Sequence, residues 1–76
     1  MQKKEQIQII EALLFASPEP LSQKRINLVF DSDPPNLKQI VEELNNDYAS
    51  IGRAFEIETV AGGFQLISKK EYETWI

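Results

Sequence analysis

The apolar residues of this chain follow two different spacings. From Leu37 to Ile51 they recur every three or four residues, which places them on one narrow face of a helix. At residues 55–58 apolar and acidic residues alternate instead, and a period of two is typical of a strand with one buried face. The change of spacing divides the chain into a helical first part and a short β part.

Three helices are predicted before the spacing changes. The first spans about Lys4 to Ala16 and ends at two prolines, because proline disfavours helical geometry in the preceding residue. The second runs from Gln23 to about Phe30, after the N-cap Ser22. The third follows the N-cap Asn36 and ends near Gly52. The core residues predicted for these helices are Ile10, Leu14, Ile26, Val29, Leu37, Ile40, Val41, Leu44 and Tyr48.

A β-hairpin is predicted after the helices. The turn Ala61-Gly62-Gly63 separates two strand-like runs, and glycine adopts positive φ without steric cost. Phe55, Ile57 and Leu66 of the hairpin are expected to close the core.

Two shorter segments flank these elements. We expect residues 19–21 to lie extended beside the hairpin, at its edge, since proline donates no hydrogen bond. Ser68 and Glu71 have the spacing of a capping box, which predicts a fourth helix at the end of the chain.

Three helices followed by one hairpin, in 76 residues, indicate a single winged helix-turn-helix domain. The predicted fold class is mainly α with a small β-hairpin (α+β), in which three helices precede a two- to three-stranded antiparallel wing. This fold has two common uses, which are reading DNA and holding proteins together. Because Tyr72, Trp75 and Ile76 have little sequence left to cover them, we expect residues 1–76 to be a fragment of a longer chain.

The composition removes most kinds of catalysis. The chain has no Cys and no His, so thiol nucleophiles, imidazole bases and the usual zinc ligand sets are absent. Glu56 and Glu58 share a strand face without a pocket or nucleophile, and Gly62 and Gly63 precede a strand instead of a phosphate-binding helix. We therefore expect no enzyme activity, cofactor, metal or small-molecule substrate.

The chain also lacks the signals of a membrane or exported protein. Its longest apolar run, residues 12–16, is far shorter than a membrane span, and no apolar core of a signal peptide follows Lys3 and Lys4. The expected location is the cytoplasm.

The charges of the third helix bear on DNA binding. A DNA-reading helix presents Arg, Asn or Gln to the bases, and its surroundings are basic. This helix carries only Lys38 against three acidic residues, and the chain has a net charge of −4. Its outward residues are Gln39, Glu42, Glu43, Asn46 and Ser50. We expect no direct sequence-specific DNA binding; the acidic side is a solvated face or, alternatively, an acidic docking surface.

Several segments together resemble one known family. They are residues 10–17 (IEALLFAS), 19–22 (EPLS), 44–48, 60–66 (VAGGFQL) and 70–72 (KEY), in this order. They are similar to the N-terminal region of segregation and condensation protein B. No single segment would suffice, but their order and spacing cover nearly the whole chain.

The resemblance implies a non-catalytic winged-helix subunit. In that family the protein acts with a kleisin subunit (ScpA) and an SMC ATPase to condense and segregate chromosomes, which implies association with the nucleoid. Its first winged-helix domain is associated with homodimerisation and its second with much of the kleisin binding. This sequence lacks the second domain, and its loop at residues 31–35 is richer in proline than is usual in the family. The alternative function is that of a DNA-binding winged-helix transcriptional regulator.

A homodimer is the predicted assembly. Some large apolar residues lie at or beyond the margins of the helical core faces, and others end the chain uncovered. Contiguous apolar surface usually marks an interface, and in a two-fold dimer one patch meets its own copy. The predicted interface residues are Ile9, Phe15, Leu28, Tyr72, Trp75 and Ile76.

Overall fold

The computed structural model describes residues 2–76. Its elements are α1 (Lys3–Ala16), α2 (Gln23–Val29), α3 (Leu37–Ser50), β1 (Phe55–Val60), β2 (Gly63–Ser68) and a 3-10 helix (Lys70–Trp75). The order of three helices followed by an antiparallel hairpin confirms the predicted winged-helix architecture.

Side chains at the helix starts explain where α2 and α3 begin. Ser22 accepts a hydrogen bond from the backbone N–H of Arg25, and Asn36 accepts one from that of Gln39, both at 3.2 Å. These bonds satisfy backbone N–H groups that have no partner within the first turn. Both predicted N-caps are therefore confirmed.

Gln23 determines how α2 meets α3 across the proline-rich loop. Its side-chain oxygen accepts from the backbone N–H of Leu37 at 2.7 Å, while its side-chain nitrogen donates to the carbonyl of Pro35 at 2.9 Å. One amide thus joins the first turn of α2 to the start of α3. The loop at residues 31–35 is held at its end by these two bonds.

The core lies where α1, α2, α3 and the wing meet. Most of the predicted core is confirmed, and Ile10, Ile26 and Leu37 are almost completely buried. Phe55 and Leu66 pack against the core while remaining partly exposed. The buried residues are Ile10, Leu14, Leu21, Ile26, Phe30, Leu37, Ile40, Val41, Leu44, Tyr48 and Ile57.

The core prediction was wrong at Val29, which is 39% exposed. The helix α2 ends at Val29, and Phe30 leaves helical geometry with φ −102° and ψ 102°. Because the helical period no longer applies there, Phe30 enters the core in place of Val29. Ile51 is exposed for a similar reason, since it follows the last residue of α3.

The wing turns at Ala61 and Gly62. Both have positive φ, of 46° and 78°, which is the backbone that a tight two-residue hairpin requires. Gly63 already belongs to β2 and pairs with Val60, so the turn is one residue shorter than the sequence suggested.

Both edges of the wing are covered at one point. On the β2 side, Leu21 exchanges two backbone hydrogen bonds with Phe64, at 2.7 and 2.8 Å. These bonds confirm the predicted position beside the hairpin at Leu21, whereas Glu19 forms a bend. On the β1 side, the Asn45 side chain bonds both the N–H and the carbonyl of Ile57, at 2.8 and 2.9 Å. Asn45 thus occupies the position that a third strand would take, and α3 is joined to the wing.

The end of the chain differs from the predicted capped helix. Residues after Lys69 form a 3-10 helix that has no side-chain capping bond. The backbone N–H of Lys69 instead donates to the carbonyl of Ala54 at 2.9 Å. This bond continues the hairpin beyond Ser68, and the capping box predicted at Ser68 and Glu71 was wrong.

Candidate protein-interaction surface

A shallow groove lies between α1, α3 and the wing. Its volume is about 290 Å³, and Phe15 stands at its rim with 81% of its surface exposed. We call this feature the Phe15 groove. Its lining residues are Gln8, Glu11, Ala12, Phe15, Tyr48, Phe55 and Leu66.

Aromatic rings form one wall of the Phe15 groove. The rings of Tyr48 and Phe55 meet edge to face, with centroids 4.9 Å apart and planes at 70°. The Tyr48 hydroxyl donates a hydrogen bond to the Glu11 carboxylate on α1. This bond ties α3 to α1 and gives the one acidic group of the groove a partner within the chain.

Burial of Tyr48 raises the pKa of its hydroxyl well above the usual value, and the hydrogen bond to Glu11 acts in the same direction. The negative charges of Glu11 and Asp47 raise this pKa further. The folded chain therefore holds the Tyr48 proton more tightly than the unfolded chain does. The hydroxyl remains a donor to Glu11 throughout the neutral range.

This pKa shift predicts a loss of stability in alkali. An unfolded tyrosine ionises near about pH 10, so the contribution of Tyr48 is complete below that pH and is lost as the pH rises towards the folded pKa. The free energy of unfolding, measured by urea denaturation across this range, should fall more steeply for the wild type than for Tyr48→Phe. Parallel curves would contradict the assignment.

The six predicted interface residues occupy different parts of the surface. Phe15 lines the groove, whereas Ile9 is partly buried and packs against the core. Leu28 lies on α2 on the side away from buried Ile26 and is 68% exposed. Tyr72, Trp75 and Ile76, in and after the 3-10 helix, are all exposed. Phe15 is thus the predicted residue that stands beside an apolar recess.

The outward side of α3 is polar and acidic. A second groove runs between it and the start of α1, where the Lys3 ammonium lies 3.0 Å from the Glu43 carboxylate. Gln39, Glu42 and Asn46 line the same groove. Lys3 is therefore already paired with a carboxylate of this acidic face. DNA phosphates would meet carboxylates here, and the repulsion would oppose binding.

The tip of the wing adds no positive charge to that face. Ala61 and Gly62 form the turn and are exposed, and they lie between strands whose paired residues include Glu58 and Gln65. A DNA-binding wing needs basic groups to contact phosphate. Both elements that read DNA in a winged helix therefore lack the required charge.

Residues 2–76 provide neither a metal site nor a membrane span. No cluster of three or more acidic, His or Cys side chains in this part of the chain could hold a metal ion. The helices described here all fall short of the length and apolar character that crossing a bilayer would require.

The sequence contained no indication of several long-range hydrogen bonds that join the elements. Asn45 and Gln23 both bond to backbone groups 12 or 14 residues away, and the partner of Tyr48 lies 37 residues away on α1. A polar residue on a helix carries no local signal of such a distant partner. The helical spacing did indicate the inward direction of Tyr48, but not its hydrogen bond.

Comparison with known proteins gives a consistent result. Residues 8–76 match the family described as segregation and condensation complex subunit ScpB. Segregation and condensation protein B of Syntrophotalea carbinolica is 38% identical over 68 residues, which cover 90% of this chain and 34% of that protein. The chain therefore spans about a third of the length of this curated relative.

Two solved structures are similar to the chain in both fold and sequence. A dimer of a ScpB N-terminal domain complexed with a ScpA peptide has a TM-score of 0.77 and 34% identity, over 95% of this chain and 90% of that one. A conserved hypothetical protein from Chlorobium tepidum has a TM-score of 0.83 and 31% identity, over 95% of this chain and 46% of that one. The winged helix described here belongs to the segregation and condensation protein B family.

Proposed function

We propose that this chain is the dimer-forming N-terminal domain of a non-catalytic ScpB subunit. That subunit acts with the kleisin ScpA, and through it with an SMC ATPase, in chromosome condensation and segregation. The observation that supports this most is the 34% identical N-terminal domain, which was crystallised as a dimer with a ScpA peptide. Homodimerisation and kleisin binding are therefore the two properties that we assign to the chain.

The surface chemistry agrees with this role. Glu42 and Glu43 occupy the side of α3 that a DNA reader would turn to the bases, and Lys3 pairs with Glu43. An apolar recess at Phe15 lies on another face. A protein partner can bury the apolar recess, whereas the acidic groups would repel the phosphates of a DNA duplex. The DNA-binding regulator is therefore the weaker alternative.

The remaining parts of the proposal concern the longer protein. We assign residues 1–76 to the first of two winged-helix domains. This assignment agrees with the length of the chain, which covers about a third of its curated relatives. We also propose a cytoplasmic location, with association to the nucleoid through the SMC complex. The predicted interface residues Ile9, Phe15, Leu28, Tyr72, Trp75 and Ile76 are candidates for the dimer contact.

Co-expression with the kleisin from the same genome tests the assignment. An affinity-tagged kleisin should retain this chain, and light scattering of the eluted complex should give the mass of one kleisin with two copies of the 8.7 kDa chain. Failure of the chain to bind the kleisin, together with tight binding to duplex DNA, would instead support a transcriptional regulator.

A further inference from the structure

The Phe15 groove combines a projecting group with a recess on one face. Phe15 projects from the last turn of α1 with 81% of its surface in solvent. Beside it, Ala12, Phe55 and Leu66 form an apolar recess between α1 and the wing. Removal of apolar surface from water stabilises a complex by about 25 cal/mol per Å². A ring left so exposed is therefore a favourable anchor for a partner.

Such a pair suits a second copy of this chain. In a two-fold interface the same patch faces itself, so a projecting side chain and its receiving recess must lie together on one protomer. Phe15 forms the rim of the recess that would receive it, and both requirements are met within one groove. A partner of unrelated shape would need the recess but would not require Phe15 to project beside it.

The charge distribution points to the same face. Each chain carries a net charge of −4, so two copies repel unless they meet where acidic groups are few. Glu11 is the one charged residue that lines the Phe15 groove, and its carboxylate accepts a hydrogen bond from the Tyr48 hydroxyl. By contrast, a two-fold contact through the outward face of α3 would bring Glu42 and Glu43 close to the same carboxylates of the second copy, and these charges would repel.

The other exposed apolar residues lack this combination. Leu28 lies one turn from Lys24 and Arg25 on α2, so a two-fold contact there would bring basic side chains near one another. Trp75 lies among Glu71 and Glu73 on the 3-10 helix. Neither surface therefore offers both an apolar recess and a low charge.

We propose that the Phe15 groove is the centre of the homodimer, in which Phe15 of each copy inserts into the groove of the other. Each ring then packs against Phe55 and Leu66 of the second copy, and Ala12 leaves the room that the ring needs. This proposal rests on the homodimer assigned under the proposed function and identifies the face that forms it. Anchors of this kind, central and aromatic, carry most of the energy of an interface.

Two substitutions test the groove from its two sides. Phe15→Glu removes the projecting ring and adds a charge, while Ala12→Trp fills the recess and keeps Phe15. Both residues are exposed, so the fold should survive, which circular dichroism checks. The matched control is Ile51→Glu, which adds the same charge at a residue that is 63% exposed and does not line the groove. Each groove variant should raise the dimer dissociation constant, measured by sedimentation equilibrium, at least about 30-fold, and the control should stay close to wild type.

Kleisin binding, measured on the same variants, separates the two proposals. If the wild type binds the kleisin and both groove variants remain as dimeric as the control, the Phe15 groove is not the dimer centre, although the proposed function stands. If the groove variants stay dimeric but lose the kleisin, the groove belongs to that partner and this inference is overturned. If the wild type neither dimerises nor binds the kleisin, the proposed function itself fails.

Discussion

Replacement of Leu44 by Ala should lower the free energy of unfolding by about 2–5 kcal/mol. Leu44 is 4% exposed on α3 and belongs to the central cluster of buried residues. Truncation removes apolar contacts and leaves a cavity that the surrounding helices fill only in part. For a 76-residue domain this is a large share of the whole stability, which is often about 5–15 kcal/mol.

A matched control is available just beyond the end of the same helix. Ile51 follows α3 and shares the spacing of Leu44 in sequence, but it is 63% exposed. The Ile51→Ala variant should change the free energy of unfolding by about 0.5 kcal/mol or less. Urea denaturation of both variants measures the difference. Equal effects at the two positions would mean that α3 packs with another face.

Replacement of Gly63 by Ala should disturb the wing for a steric reason. A Cβ at this position would lie 2.7 Å from the Leu21 carbonyl oxygen and 3.1 Å from the Pro20 Cβ. Because the first of these atoms belongs to the backbone, the segment at Leu21 must move away from β2. Forced overpacking of this kind typically costs about 1–3 kcal/mol.

Hydrogen exchange identifies the site of the disturbance. The Leu21 amide donates to the Phe64 carbonyl at 2.7 Å, so this amide should lose protection in Gly63→Ala. The comparison variant is Gly62→Ala, where the new Cβ meets open space and only the positive φ of 78° causes strain. In that variant the Leu21 amide should keep its protection relative to the rest of the domain. A fully protected Leu21 in Gly63→Ala would refute the proposed close approach.

Local patterns predicted the helices because each depends on neighbouring residues. The spacing from Leu37 to Tyr48 defines one face of α3, and Ser22 and Asn36 cap the turns that immediately follow them. The errors fall at the ends of elements. The burial of Val29 was predicted wrongly because α2 ends at this residue. The cap at Ser68 was predicted wrongly because the Lys69 N–H bonds to the distant Ala54 carbonyl.

The candidate surface could be predicted only in part for the same reason. The exposure of Phe15 follows from its place outside the apolar face of α1. The recess beside it is formed by α1, α3 and the wing, whose lining residues are up to 58 positions apart, from Gln8 to Leu66. No local spacing encodes such a recess. Its prediction requires the packing of the helices against the hairpin.

The acidic face of α3 opposes DNA reading by this fold. The scaffold is that of a winged helix, yet the side of α3 that would enter the major groove carries Glu42 and Glu43. Function in this scaffold therefore depends on the side chains at its surface and not on the fold itself. Here those side chains favour association with proteins.

The most direct test of that conclusion is a paired fluorescence-anisotropy titration at low salt. One labelled probe is the segment of the kleisin from the same genome that corresponds to the ScpA peptide in the solved complex. The other is a duplex DNA of mixed sequence. We expect saturable binding of the kleisin segment and no saturation with the duplex, even though low salt favours phosphate contacts. Saturable duplex binding that weakens steeply with added salt, with no binding of the kleisin segment, would contradict the account.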